Sequence, residues 1–154
     1  MSKDHQMVYG CEGIIEEKGV AGVYTLVFRQ PAESILLDAG VHAIALWDAG
    51  TAATLKMGDA TDDDGIFTAV NLKATDLLAG ESISASGGTG LAGGKVGADI
   101  ANSQWSRRYT ATARDIKAIV TTTGTAGSAG RTRVWITFMY PYTGQMSVAT
   151  KVNS

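Results

Sequence analysis

The sequence predicts an all-β protein: an antiparallel β-sandwich or jelly roll of roughly eight strands, joined by long glycine-rich loops. Three observations carry this. Apolar residues recur with a period close to two along most segments, which is the side-chain alternation of a strand. Nineteen glycines and 17 threonines stand against only two prolines. Asp- and Gly-containing punctuation falls between the periodic runs at Asp38-Ala-Gly40, Asp48-Ala-Gly50, Asp64-Gly65 and Ala79-Gly80, where it reads as turns.

Taken in order, residues 1–20 read as an N-terminal arm with a first short strand. In 21–28, Val23, Thr25 and Val27 share one face and Tyr24, Leu26 and Phe28 the other. Ser34–Leu37 is a short candidate strand, and in 41–47 Val41, Ala43, Ala45 and Trp47 oppose His42, Ile44 and Leu46. Thr54–Met57, Phe67–Asn71, Ser82–Ser86, Ser106–Thr112 and Asp115–Thr121 are further candidates. In 131–140, Arg131, Arg133, Trp135, Thr137 and Met139 alternate with Thr132, Val134, Ile136, Phe138 and Tyr140. Helical spacing occurs only in Ala69–Leu78, where Asn71, Thr75 and Asp76 weaken it, so at most one short helix is expected. The domain spans 21–142, and 143–154 reads as a C-terminal arm or tail.

A chain of 154 residues is one ordinary domain and needs no disulfide or metal staple. Its single cysteine, Cys11, cannot form an internal disulfide, and the neighbouring Glu12 disfavours a thiolate. Charged residues are only 18% of the chain, which suggests a surface partly covered by a partner. The net charge of −2 lacks the basic excess that binding to nucleic acid requires. No apolar run has signal-peptide or membrane-span length, so synthesis in a cytoplasm and no membrane partner are expected.

No residue pattern makes a catalytic site. Gly88-Thr-Gly-Leu-Ala-Gly93 matches the dinucleotide pattern, but no helix starts inside it to meet a pyrophosphate, and no cofactor is expected. Nucleophilic catalysis needs an oriented base. His5 lies in the terminal arm and His42 inside a strand, where it reads as a satisfied histidine. Asp59, Asp62, Asp63 and Asp64 are weak candidates for calcium. Their spacing is not that of an EF-hand, and an Asp-rich turn that caps its own backbone explains them better. The aromatic set Trp47, Trp105, Trp135, Tyr24, Tyr109, Tyr140 and Tyr142 suits core and subunit packing better than a sugar-stacking face.

Strands apolar on both faces need cover on both, and large exposed apolar patches are rare on monomers. Trp135, Phe138 and Tyr140 are therefore the expected core or interface anchors.

Three segments carry a resemblance: Val41-His-Ala-Ile-Ala-Leu-Trp47 followed by Leu55–Phe67, the glycine-rich loop near Gly87, and Ile116–Val134. Together, over about residues 20–140, the chain resembles small structural proteins of tailed bacteriophages encoded among head genes. The resemblance implies a β-sandwich or jelly-roll module, non-enzymatic, resident in the virion, that decorates or cements a capsid. It also implies homo-oligomers, often trimers, in contact with the major capsid protein. It carries over no catalytic residues. A carbohydrate- or receptor-binding module of a tail fibre, or a neck or tail component, is the alternative, resting on the aromatic set and the Asp59–Asp64 cluster.

Overall fold

A computed structural model describes residues 6–86 and 108–141. Nine strands form two antiparallel sheets: β1 (Gln6–Glu16), β2 (Val23–Gln30), β3 (Ser34–Ala45), β4 (Ala52–Gly58), β5 (Phe67–Asn71), β6 (Ser82–Ser84), β7 (Tyr109–Thr110), β8 (Arg114–Thr123) and β9 (Arg131–Pro141). Sheet A has the order β1-β9-β3-β6, with β7 also paired to β3, and sheet B has the order β2-β8-β4-β5.

The pairing is that of a jelly roll. Strands far apart in sequence pair from the outside inward: β1 with β9, β2 with β8, β3 with β6 and β4 with β5. The β9–β3 and β8–β4 ladders then roll this long double ribbon into two facing sheets. The all-β sandwich expected from the period-two pattern is the fold observed.

Alternation decides which residues face the interior. Val134, Ile136 and Phe138 on β9 meet Leu36, Ala39 and Val41 on β3, while Ile116, Ala118 and Val120 on β8 meet Leu55 and Met57 on β4. All are nearly or wholly buried. Each large apolar side chain in this layer contributes about 1.5–3 kcal/mol of transfer free energy. Trp47 closes one end of the core: its indole N–H donates to Thr132 Oγ1 at 2.8 Å, and Tyr24 packs edge-on against it at 5.4 Å. The buried N–H therefore keeps a partner, as it must away from water.

Several expectations change. Asp38-Ala-Gly40 is not a turn. The two strands expected around it are one strand, β3, which absorbs Leu37 as a bulge between Leu36 and Asp38. The Asp38 carboxylate serves this bulge, accepting from the Ala39 amide and from the Ser86 amide and hydroxyl. β1 is an 11-residue strand rather than a short one, because all of it ladders onto β9. Only Tyr109–Thr110 of the expected Ser106–Thr112 strand pairs, and its first two residues lie outside the described residues. None of the described residues is helical; after Asn71 the chain turns, with the Asn71 amide donating to Asp76 and the Lys73 amide to Asn71 Oδ1. Among the described residues no helix is long and apolar enough to cross a membrane.

Candidate assembly surface

The outward face of sheet A follows from the same register. Because Phe138, Ile136 and Val134 point inward, Met139, Thr137, Trp135 and Arg133 point outward. Across the strands, Val8 pairs with Met139, Met139 with Ile35, and Ile35 with Tyr109. Four apolar side chains thus form one row across four strands. Val8 and Tyr109 at the row's ends are 64% and 49% exposed, and Met139 and Ile35 are half-buried between them.

Trp135 lies four residues further along β9 from Met139, half-buried, with its indole against Gly40 of β3. The glycine is required by this close approach, since a β-carbon there would occupy the indole's own space. The opposite end of the face is charged: Arg133 Nε lies 3.6 Å from Glu12, and Arg131 Nε lies 3.0 Å from Glu16. His42 stands beside them with Nδ1 2.7 Å from Ser82 Oγ, a satisfied histidine, as the sequence suggested. One face therefore grades from apolar to ionic along the strands.

The expected anchors divide. Trp135 belongs to this outward face. Phe138 is core, 3% exposed, and stacks on Tyr9 of β1 at 6.4 Å. Tyr140 pairs with Met7 through the backbone of sheet A. Trp105, Tyr142, His5 and the Gly88–Gly93 pattern lie outside the described residues. Cys11 is exposed on the edge strand β1.

The aspartates of the 59–64 turn are engaged within the protein. Asp59 accepts from the amides of Thr61 and Asp62 and pairs with Arg114 at 2.6 Å. Asp63 pairs with Lys56, and Asp62 accepts from the Asp64 amide. A hydrogen bond to Asp62, reinforced by desolvation, raises the Asp64 pKa above its ordinary value. Among the described residues no cluster of three or more His, Cys, Asp or Glu is arranged to hold a metal ion.

Two polar nodes escape sequence reasoning because their members are far apart in the chain. In the first, the fully buried Gln30 donates to the carbonyls of Arg108 and Ser34 and accepts from Arg114 Nε at 2.9 Å. It ties β2, β3 and the Asp59 turn together. Arg108 is 6% exposed, and burial lowers its pKa. In the second, buried Glu17 accepts from the amides of Asp48 and Gly130, while Asp48 accepts from those of Ser128 and Ala129. These bonds pin the 124–130 glycine-rich loop, and those from Ala129 and then Ser128 hold the Asp48 pKa below its ordinary value.

No protein-family model matches the chain, and no curated protein matches it. Three solved structures share its fold. A chain in the acidic stable capsid structure of Helicobacter pylori bacteriophage KHP30 superposes with a TM-score of 0.55 and 11% identity, covering 91% of this chain and 95% of that one. A chain in the cyanophage Pam1 capsid asymmetric unit gives 0.53 and 17% identity, over 90% and 86% of the two chains. A chain in the capsid of Ralstonia phage GP4 gives 0.53 and 20% identity, over 89% and 86%.

Proposed function

We propose that this chain is a non-enzymatic structural protein of a phage virion, a capsid decoration or cement protein made in the host cytoplasm. It stabilises the head through contacts with its own copies and with the major capsid protein. The observation that supports this best is the jelly-roll pairing, shared over about nine-tenths of the chain with chains of three phage capsid structures.

The surface fits the role. The row Val8–Met139–Ile35–Tyr109, with Trp135 behind it, offers apolar area to a shell, and the Glu12–Arg133 and Glu16–Arg131 pairs rim it. Burial of apolar surface contributes about 25 cal/mol per Å², and contacts repeated by symmetry reinforce one another. The alternative of a carbohydrate- or receptor-binding module draws less support. Its described aromatics are divided between the core, with Trp47 and Tyr24, and the outer face, with Trp135 and Tyr109.

Immunogold labelling of virions of the encoding phage tests the reading. Antibody against the purified chain is expected on the heads. Label confined to fibres, neck or tail would favour the alternative, and absence from purified virions would overturn both.

A further inference from the structure

We propose that β1 is a self-association edge. Two copies of the chain pair their β1 strands antiparallel, about a two-fold axis at Cys11, and so join two copies of sheet A into one continuous sheet. This goes beyond the virion reading and does not depend on it.

The hydrogen-bond phase of β1 identifies what its free edge offers. The Glu17 amide donates to the Gly130 carbonyl at 2.8 Å, in line with the β1–β9 register. In an antiparallel ladder alternate residues turn both backbone groups to the same neighbour. Odd-numbered residues of β1 therefore bond β9. Val8, Gly10, Glu12, Ile14 and Glu16 turn theirs away from it, and among the described residues β1 ends the sheet on that side.

Exposed sheet edges normally carry features that stop further pairing: short strands, proline, lysine or bulges. The other side of sheet A has them, ending in strands of three and two residues. β1 does not. It contains no proline or lysine and runs through eleven consecutive pairs without a register shift. Its two glutamates are drawn sideways onto β9 by Arg133 and Arg131, so they do not guard the edge.

The occupant is a second copy because β1 is complementary to itself in one register. With the axis at Cys11, Val8 lies opposite Ile14 of the second copy, and the reverse. These side chains are 64% and 40% exposed in the single chain and share the outward face. Glu12 then faces Gly10, and Glu16 faces Gln6, so no like charges meet. Moving the axis to Glu12 sets that glutamate against itself. Moving it to Gly10 sets Val8 against Glu12 and Ile14 against Gln6. The axis at Cys11 uses the free backbone groups of the even residues for bonding. It leaves the two Cys11 residues as a non-hydrogen-bonded pair, with Cα atoms about 4.5 Å apart. That spacing suits a disulfide.

Light scattering after size exclusion on the reduced full chain, over a concentration series, is expected to reach twice the 16.0 kDa chain mass. Mild oxidation should link that dimer through Cys11, and Cys11→Ser should abolish the link while leaving the dimer. Ile14→Lys, and independently Val8→Lys, should return a monomer with unchanged circular dichroism. If one variant fails to fold, the other decides. A monomer at every concentration, a trimer, a dimer that oxidation does not link, or a dimer that survives a folded Lys variant would each overturn the proposal. Purified chain is used without capsid, so this result and the virion-labelling result fail independently.

Discussion

The indole of Trp135 fills the space that a β-carbon on Gly40, its register partner on the neighbouring strand, would occupy. A glycine that reads as part of a turn is instead a mid-strand seat for the largest side chain on the outer face. Gly40→Ala is expected to force the indole off its seat and destabilise the fold by about 1–3 kcal/mol, the usual cost of overpacking. Trp135→Ala should restore much of that loss in the double variant. Urea unfolding of the two single variants and the double variant measures the coupling, and additivity would refute the contact.

Phe138 and Trp135 differ by three positions and by face, so their substitutions should separate. Phe138→Ala removes a core ring and the Tyr9 stack, and should cost about 3–5 kcal/mol. Trp135→Ala should cost less in folding and, under the capsid role proposed above, weaken attachment to capsids. Equal folding losses, measured by thermal unfolding, would mean that Trp135 is structural only.

Gln30 is a buried amide whose donor and acceptor are both used. Gln30→Leu removes the buried bonds to the Arg108 and Ser34 carbonyls and from Arg114 Nε, so a loss of about 1–3 kcal/mol is expected. Gln30→Glu tests charge separately: Arg114 should tolerate the carboxylate, while the Arg108 and Ser34 carbonyls should repel it. An unchanged denaturation midpoint for Gln30→Leu would count against the network.

Asp48 supplies a pH dependence with a definite sign. Its folded pKa is lowered, first by the Ala129 and Ser128 amides, so its contribution is present above the unfolded carboxylate pKa and is lost as pH falls through the folded value. Stability should therefore drop on the acid side, with the 124–130 loop loosening first, and Asp48→Asn should flatten that limb. Asp64 acts the other way. Its folded pKa is raised, so its contribution is present below the unfolded pKa and fades as pH rises through the folded value. Asp64→Asn should thus be neutral or stabilising at pH 7. Hydrogen exchange of the Ser128 and Ala129 amides against pH reads the first effect, and a titration of unfolding midpoints reads both.

The class of fold was legible in the alternation along the chain. Alternation in 23–28, 41–43 and 131–138 correctly sorts residues into two faces, because a strand's period of two is a local property. The aspartates of the 59–64 turn cap their own backbone, as their spacing suggested, because that too is local chemistry. Tertiary structure alone decided the rest. Whether Gly40 breaks a strand or seats an indole depends on a residue 95 positions away, which local propensity does not sense. Glu17 meets Gly130, and Gln30 meets Arg114, only because the double ribbon rolls up. Which apolar face lies inside and which forms the row Val8–Met139–Ile35–Tyr109 is likewise set by the second sheet, since two faces of similar composition look alike until one of them is covered.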